Sequence, residues 1–553
     1  METANKKEVA ALPSNGVDQV LAELEREKLE FKKIQSCFAE QFDKAFPDKL
    51  APKTVVIIPS LTMDQEILSK IQGITHYEER LLCFLLLLRM PRTHVIYVTS
   101  MPIDPVIIDY YLHLLPGITG HHASKRLHLL SCYDGSTRSL TEKILERPRV
   151  IERIRQAIPD NHIAHMACFN VTDKERKLSI ELGLPIYGCD PDLFDLGNKS
   201  NGRKVFKSCG LTVPAGFEDL YREKEIINAL IELKKQNPSL RKAVVKLNDG
   251  FSGDGNSIFS YDGIKEKDDL VFKINSYFYA KLKPVATDLA LKDFLIKFND
   301  MGGIVEEFVD GEIKTSPSVQ CRINPLGKCV IISTHDQELG GESGQVFLGA
   351  HFPASAEYAV DLGKMGLKVA EALRDKGVMG RFGIDFISVR NKKARPRARA
   401  GMDGDAPRRN DSVGQAVGRE WTHYPIEINL RKGGTTHPYI MLQFLTDGDY
   451  NAAKGEYLTA TGQRRYYFCS DNLRSEQFHG LTPPDLVDIA MLHDLHYDGT
   501  LQEGVMFHLI GALSQFGKIG VVCIGSSPQK AVDYYNKAVE VLQLETVHQL
   551  YTH

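Results

Sequence analysis

Three oxygen-bearing side chains, Asp385, Glu427 and Asn429, are spaced to share one face of a β-hairpin. The segment GRFGIDFISVR sets Asp385 in an apolar stretch over 382–389. YPIEINLRKGG sets Glu427 and Asn429 at the end of a second stretch over 424–428. Residues two apart on a strand point the same way, so Glu427 and Asn429 align, and Asp385 joins them if the strands pair. Two carboxylates and an amide on one face are costly to bury without a cation. Hard oxygen donors suit magnesium, which keeps several waters and shares its shell with substrate phosphates; manganese is the alternative ion. Taken alone, the same residues also read as the polar rim of a hairpin.

Cationic groups supply the complement. Lys246 closes the apolar strand AVVK, and Gly250, Ser252, Gly253 and Gly255 follow within ten residues. Glycines let backbone N–H groups approach phosphate oxygens, and the ammonium adds a point charge. No Gly-Lys-Ser/Thr follows, so this is not a Walker A loop. Arg431 stands two residues beyond Asn429, where a planar guanidinium could clamp a phosphate bidentately. Lys432, Gly433 and Gly434 make the loop that lets substrate approach, with Thr435, Thr436 and His437 on its acceptor side. A structural role is the competing reading of His437. Arg322, on a strand of SPSVQCRINPLGKCVIISTHDQEL, faces either the cleft or solvent. HDLHYD over 493–498 matches no zinc spacing and reads as a polar loop.

In order, the chain offers strand–Lys246–glycine loop, then IVEEFVDGE over 304–312, then Asp385…Glu427-x-Asn429. That order over 186–445 resembles the ATP-grasp superfamily. The run EINLRKGGTTHP and the outer parts of the chain are similar to the pheganomycin-type peptide ligases. The IQ-motif-containing protein H group is similar over the same core. The resemblance implies ATP and Mg2+ (or Mn2+), with Asp385, Glu427 and Asn429 as metal ligands and Lys246 and Arg431 as catalytic cations. It implies that Lys199, Lys246 and the Gly250–Gly255 loop hold the phosphates. Glu306 and Glu307 would lie at the adenine, Phe308 and Val309 would wall it, and Glu312 would hold the ribose.

The implied reaction is ATP-dependent ligation of a carboxylate to an amine or peptide through an acyl phosphate. A non-catalytic ATP-binding scaffold is the alternative, and a ligase joining a non-peptide acid to an amine or thiol is a third. The partners implied are small-molecule carboxylate and amine substrates, and a homodimer is the expected assembly.

The elements that must position these groups follow from periodicity. An amphipathic helix over 17–46 forms an N-terminal extension (1–50). A continuous β-branched strand over 53–59 and further strands over 94–99, 126–131 and 162–169 alternate with helices over 61–71, 78–90 and 106–115. This predicts a parallel, Rossmann-like pre-ATP-grasp domain over 51–185. Ser60 and Ser100 end its strands, where open α/β sheets bind ligands. It carries no Gly-x-Gly-x-x-Gly, which argues against a separate dinucleotide site.

A two-lobed α+β ATP-grasp domain is expected over 186–445, with a helix from 198 or 199 to 209 and another over 356–376. An insert over 391–421, rich in Arg, Gly, Ala and Pro, is expected to be disordered. A small α+β C-terminal domain completes the α/β chain over 446–553. At 553 residues the chain exceeds one core. A net charge of −3 gives no basic field for nucleic acid, and the longest apolar run, 81–90, is too short to span a membrane. Ten scattered cysteines without a Cys-x-x-Cys pair fit reduced thiols in a cytoplasmic setting.

Overall fold

The computed structural model of the protein describes residues 14–250, 255–265, 268–286, 289–340, 346–390 and 421–549. Ser252, Gly253 and the insert through residue 420 lie outside these residues.

The N-terminal layer is a parallel sheet in the order β3–β2–β1–β4: β1 (Lys53–Ile58), β2 (Thr93–Thr99), β3 (Leu127–Ser131) and β4 (Ala164–Cys168). Its central strands are buried on both faces, as unbroken runs of Val, Ile and Tyr require. The segment expected as an α-helix over 78–90 is instead a 3₁₀ helix, Ile74–Arg89. Residues three apart stack in that geometry, and Leu82, Leu85 and Leu88 are all buried. The N-terminal helix is also not continuous. It breaks at Cys37 into Ser14–Ser36 and Phe38–Ala45. After the break, Phe38, Phe42 and Phe46 pack edge-on against Tyr187, and Phe38 stacks on His165.

An antiparallel sheet in the order β5–β9–β6–β7–β8 forms the first lobe of the middle region: β5 (Gly216–Leu220), β6 (Lys242–Leu247), β7 (Asn256–Ser260), β8 (Leu282–Pro284) and β9 (Gly303–Glu307). Helices Glu223–Gln236, Leu270–Lys281 and Leu291–Met301 bury their apolar stripes on it.

The second lobe is a nine-stranded sheet. Its members are β10 (Ile313–Thr315), β11 (Pro317–Ile323), β12 (Cys329–Gly340), β13 (Val346–Phe352), β14 (Gly380–Arg390) and β15 (Trp421–Asn429), and three later strands join them. A small hairpin, β16 (Asp449–Asn451) with β17 (Glu456–Leu458), stands apart. The later strands are β18 (Tyr466–Arg474), β19 (Gly504–His508) and β20 (Lys518–Gly525). The segment after residue 446 therefore extends the second lobe's sheet through the β13–β18 pairing. Helix Ala359–Arg374 covers one face: a Cβ at Gly366 would lie 2.8 Å from Val319 and 3.5 Å from the Cys321 sulfur. Alternation therefore turns Ser318, Gln320 and Arg322 to the opposite face.

Candidate functional site

Strand register builds that opposite face as rows. β11 pairs β14 with Ser318 opposite Asp385, Gln320 opposite Gly383 and Arg322 opposite Arg381. β15 pairs β14 with Glu427 opposite Asp385 and Asn429 opposite Gly383. The three predicted metal ligands are thus brought together. Asn429 Nδ2 donates to Asp385 Oδ2 at 2.9 Å, and Gln337 Nε2 donates to Asp385 Oδ1 at 2.7 Å.

The electrostatics of the pair are uneven. Burial, and then the neighbouring Glu427 charge, push the Asp385 carboxyl up to about 6. Burial would raise Glu427 as well, but the Lys199 ammonium, by charge and by hydrogen bond, holds it below its ordinary value. Two facing carboxylates, one of them resisting ionisation, form an oxygen donor set that a hard dication relieves.

Lys199 opens the helix Lys199–Ser208 and is ion-paired with Glu427. Asn248, at the end of β6, fixes that helix start. Its carbonyl oxygen accepts from Lys199 N–H (3.1 Å), its Oδ1 accepts from Ser200 N–H (3.1 Å) and Oγ (2.7 Å), and its Nδ2 donates to Met301 O. Lys246, two residues earlier, is buried with its Nζ 2.5 Å from Glu306 Oε1. Glu306 Oε2 meets Arg203 at 2.5 Å, and Arg203 also binds Glu218 and Pro214 O. Glu306 is 3% exposed with a cation on each oxygen, so it positions Lys246. The charge of Lys246 also acts on Glu427, across the interval between the lobes.

The remaining predicted residues lie around this centre. Glu307 Oε1 accepts from Ala215 N–H (3.0 Å). Phe308 donates its N–H to Lys242 O, and the Lys314 ammonium lies 4.5 Å from its ring centre. Val309 is buried and its carbonyl accepts from Lys314, while Glu312 is exposed on the turn into β10. Gly250 and Gly255 meet at the base of the β6–β7 hairpin, where a Cβ on Gly250 would lie 3.2 Å from Gly255 Cα. The Arg431 guanidinium feels Glu427, Asp385 and Arg80, and burial draws it below its ordinary value.

Sequence reasoning missed several groups. Asn248 lies between Lys246 and the glycine-rich loop but carries no motif of its own. Arg80, Asp471 and His508 come from distant parts of the chain and converge with His437. Asp471 Oδ1 lies 3.1 Å from His437 Nε2 and 2.8 Å from His508 Nε2, and Arg80 holds Asp471 Oδ2 at 2.8 Å. Burial pushes His437 down to about 4. Among the described residues, His437, Asp471 and His508 are the one cluster of three histidine, cysteine or carboxylate side chains close enough to share a metal ion, and HDLHYD forms none. His493 instead contacts Glu545 at 2.7 Å. Ser60 and Ser100 are absorbed in structural bonds, to Thr62 and Thr141 N–H, and to Glu78 and Lys143, respectively.

The chain is similar to known proteins over much of its length. Residues 193–267 and 279–399 match the family described as IQCH-like, ATP-grasp, and residues 485–538 match the PGM1 C-terminal domain. Over the first two of these spans the chain therefore carries a domain of the IQCH-like, ATP-grasp type. The L-propargylglycine--L-glutamate ligase of Streptantibioticus cattleyicolor is 27% identical over 513 residues, covering 91% of this chain and 96% of that one. IQ motif-containing protein H of Danio rerio is 24% identical over 381 residues, 61% of this chain and 36% of that protein, so the match spans about a third of its length. Among solved structures, the biotin carboxylase domain of the Hydrogenobacter thermophilus 2-oxoglutarate carboxylase aligns over 88% of this chain and 89% of that one. Its identity is 13% and its TM-score 0.48. No helix among the described residues is long and apolar enough to cross a membrane.

Proposed function

We propose that the protein is an ATP-dependent carboxylate–amine ligase that forms a peptide-type C–N bond through an acyl phosphate, releasing ADP and phosphate. The observation that carries this reading is the meeting of the Asp385–Glu427–Asn429 face with Lys199 and Lys246 across one interval. The similarity to a ligase named for L-propargylglycine and L-glutamate supports it, and small amino acids or peptides are the substrates to try first.

Asp385, Glu427 and Asn429 would hold Mg2+, or Mn2+, which supplies charge neutralisation for the triphosphate. Lys199 and Lys246 bind phosphate oxygens, and Arg431, facing the two carboxylates, orients the group being transferred. The hinge Glu307–Val309 and Glu312 serve the base and ribose. A substrate carboxylate oxygen forms the new O–P bond as ADP leaves. The amine nitrogen then bonds to the acyl carbon, phosphate departs and the amine proton passes to solvent. Positioning and charge complementarity are all the protein needs to supply. Ten free thiols fit a reducing, cytoplasmic setting.

The test is mass spectrometry of products from pooled amino acids and short peptides with ATP and magnesium. A ligated product with matching ADP release supports the reading. Tight ATP binding without turnover on any pair favours the scaffold alternative.

A further inference from the structure

Four residues along β14 from Asp385, on the same sheet face, stands Arg381, and its cross-strand neighbour on β11 is Arg322. Side chains directly opposite on neighbouring strands lie about 5 Å apart at Cβ, and like charges placed so repel. Among the described residues, no carboxylate pairs with either guanidinium, and Arg322 Nε is buried without a hydrogen-bond partner.

The groups facing the pair from other elements are Tyr187, Tyr439 and Cys83, and none of them carries a countercharge. The Tyr187 hydroxyl is also buried and unpartnered. Lys432 adds a third cation on the same side, its Nζ donating to Cys168 O. Burial, and then Arg322, push Arg381 down to about 10. Both arginines remain part-exposed, so a ligand can reach them.

Two adjacent, half-buried arginines and a spare hydroxyl, with no acid of their own, are built for an anion from outside. We propose that Arg322, Arg381 and Tyr187 form a carboxylate-binding subsite that selects a substrate with an acidic group beyond the one that reacts. This rests on the ligase reading above. The arginine row lies about 13 Å along the strand from Asp385. With the reach of two guanidinium arms, an amino acid or dipeptide bridges that span. Gly383 between the rows carries no side chain, and the Gln320 amide lies over it, 2.8 Å from where a Cβ would stand. The floor between the two rows is thus a polar amide surface. The subsite draws on both layers, since Tyr187 is braced by Phe38 and Phe42 of the N-terminal helices.

The probes are L-glutamate and its neutral isostere L-glutamine, each offered with ATP, magnesium and a pool of neutral amino acids while ADP release is followed. The wild-type protein should favour L-glutamate by ~100-fold in kcat/KM, and R322Q or R381Q should each reduce that preference at least ~10-fold. R322K should keep much of it, and displacement of a fluorescent ATP analogue should stay within ~2-fold in all variants. Thermal unfolding of each variant checks that it folds, and R322K carries the comparison if a glutamine variant does not.

Equal use of glutamine, an unchanged preference in both variants, or a fall in nucleotide affinity instead overturns the subsite while leaving the ligase reading intact. ADP release with no amino acid at all, or none with any, overturns the ligase reading and the subsite with it.

Discussion

Lys199 places its ammonium on the carboxylate of Glu427, whose partner across the hairpin is Asp385. A helix that precedes the first lobe thus supplies the countercharge for an acid pair in the second. The two halves of the site are linked before any ligand enters. Removing the ammonium in K199M leaves Glu427 facing Asp385 with its nearest positive charge gone. Both groups keep some solvent contact, so the cost sits below that of a fully buried pair, at ~1–3 kcal/mol near neutral pH. Urea unfolding reads this directly, and an unchanged midpoint would remove the lysine from the site's electrostatics.

Glu427→Gln keeps shape and removes one anionic oxygen donor. Turnover should fall by ~100-fold or more, while unfolding remains a single cooperative transition. ADP release with magnesium is the measurement. Near-normal rates would end the assignment of Glu427 as a metal ligand.

Glu306 holds Lys246 on one oxygen and Arg203 on the other, in a nearly dry setting. E306Q leaves two buried cations with a neutral amide, at a cost of ~3 kcal/mol. Lys246 also loses its anchor, so ATP affinity should drop along with the melting temperature. A variant that melts as wild type but binds ATP weakly would place Glu306 at the nucleotide rather than behind the lysine.

Glu78 gives a pH test away from the site. Burial pushes its carboxyl from 4.5 up to about 7, against hydrogen bonds from Ser100. The folded state therefore holds this proton more tightly than the unfolded chain. Its contribution is full below pH 4.5 and is lost as pH rises through about 7. E78Q cannot ionise. The stability of E78Q relative to wild type should thus rise by about 2 kcal/mol between pH 5 and pH 8. Parallel stability curves for the two proteins would show that Glu78 does not titrate in this range.

Much of this was legible in the chain. Alternation put Glu427 and Asn429 on one face, and the order of Lys246, the paired glutamates and Asp385 pointed to the ATP-grasp fold. Helix ends at Asn198 and Gly210 followed from local chemistry. Spacing alone did not show that the helix over 17–46 breaks at Cys37 or that the segment over 78–90 winds as a 3₁₀ helix. Both depend on what those residues pack against: the aromatic group around Tyr187 for the first, a wholly buried leucine run for the second.

The sequence by itself determined which residues can lie on a common strand face, because side-chain direction alternates with a period the chain cannot escape. It determined the fold class for the same reason, since apolar periodicity sets which elements can bury a face. Only the tertiary structure decided that Arg322 stands opposite Arg381, that Asn248 fixes Lys199 and that Arg80 reaches Asp471. Those pairings join residues up to 391 positions apart, and their register is set by how whole sheets and helices pack, information that no local window of residues contains.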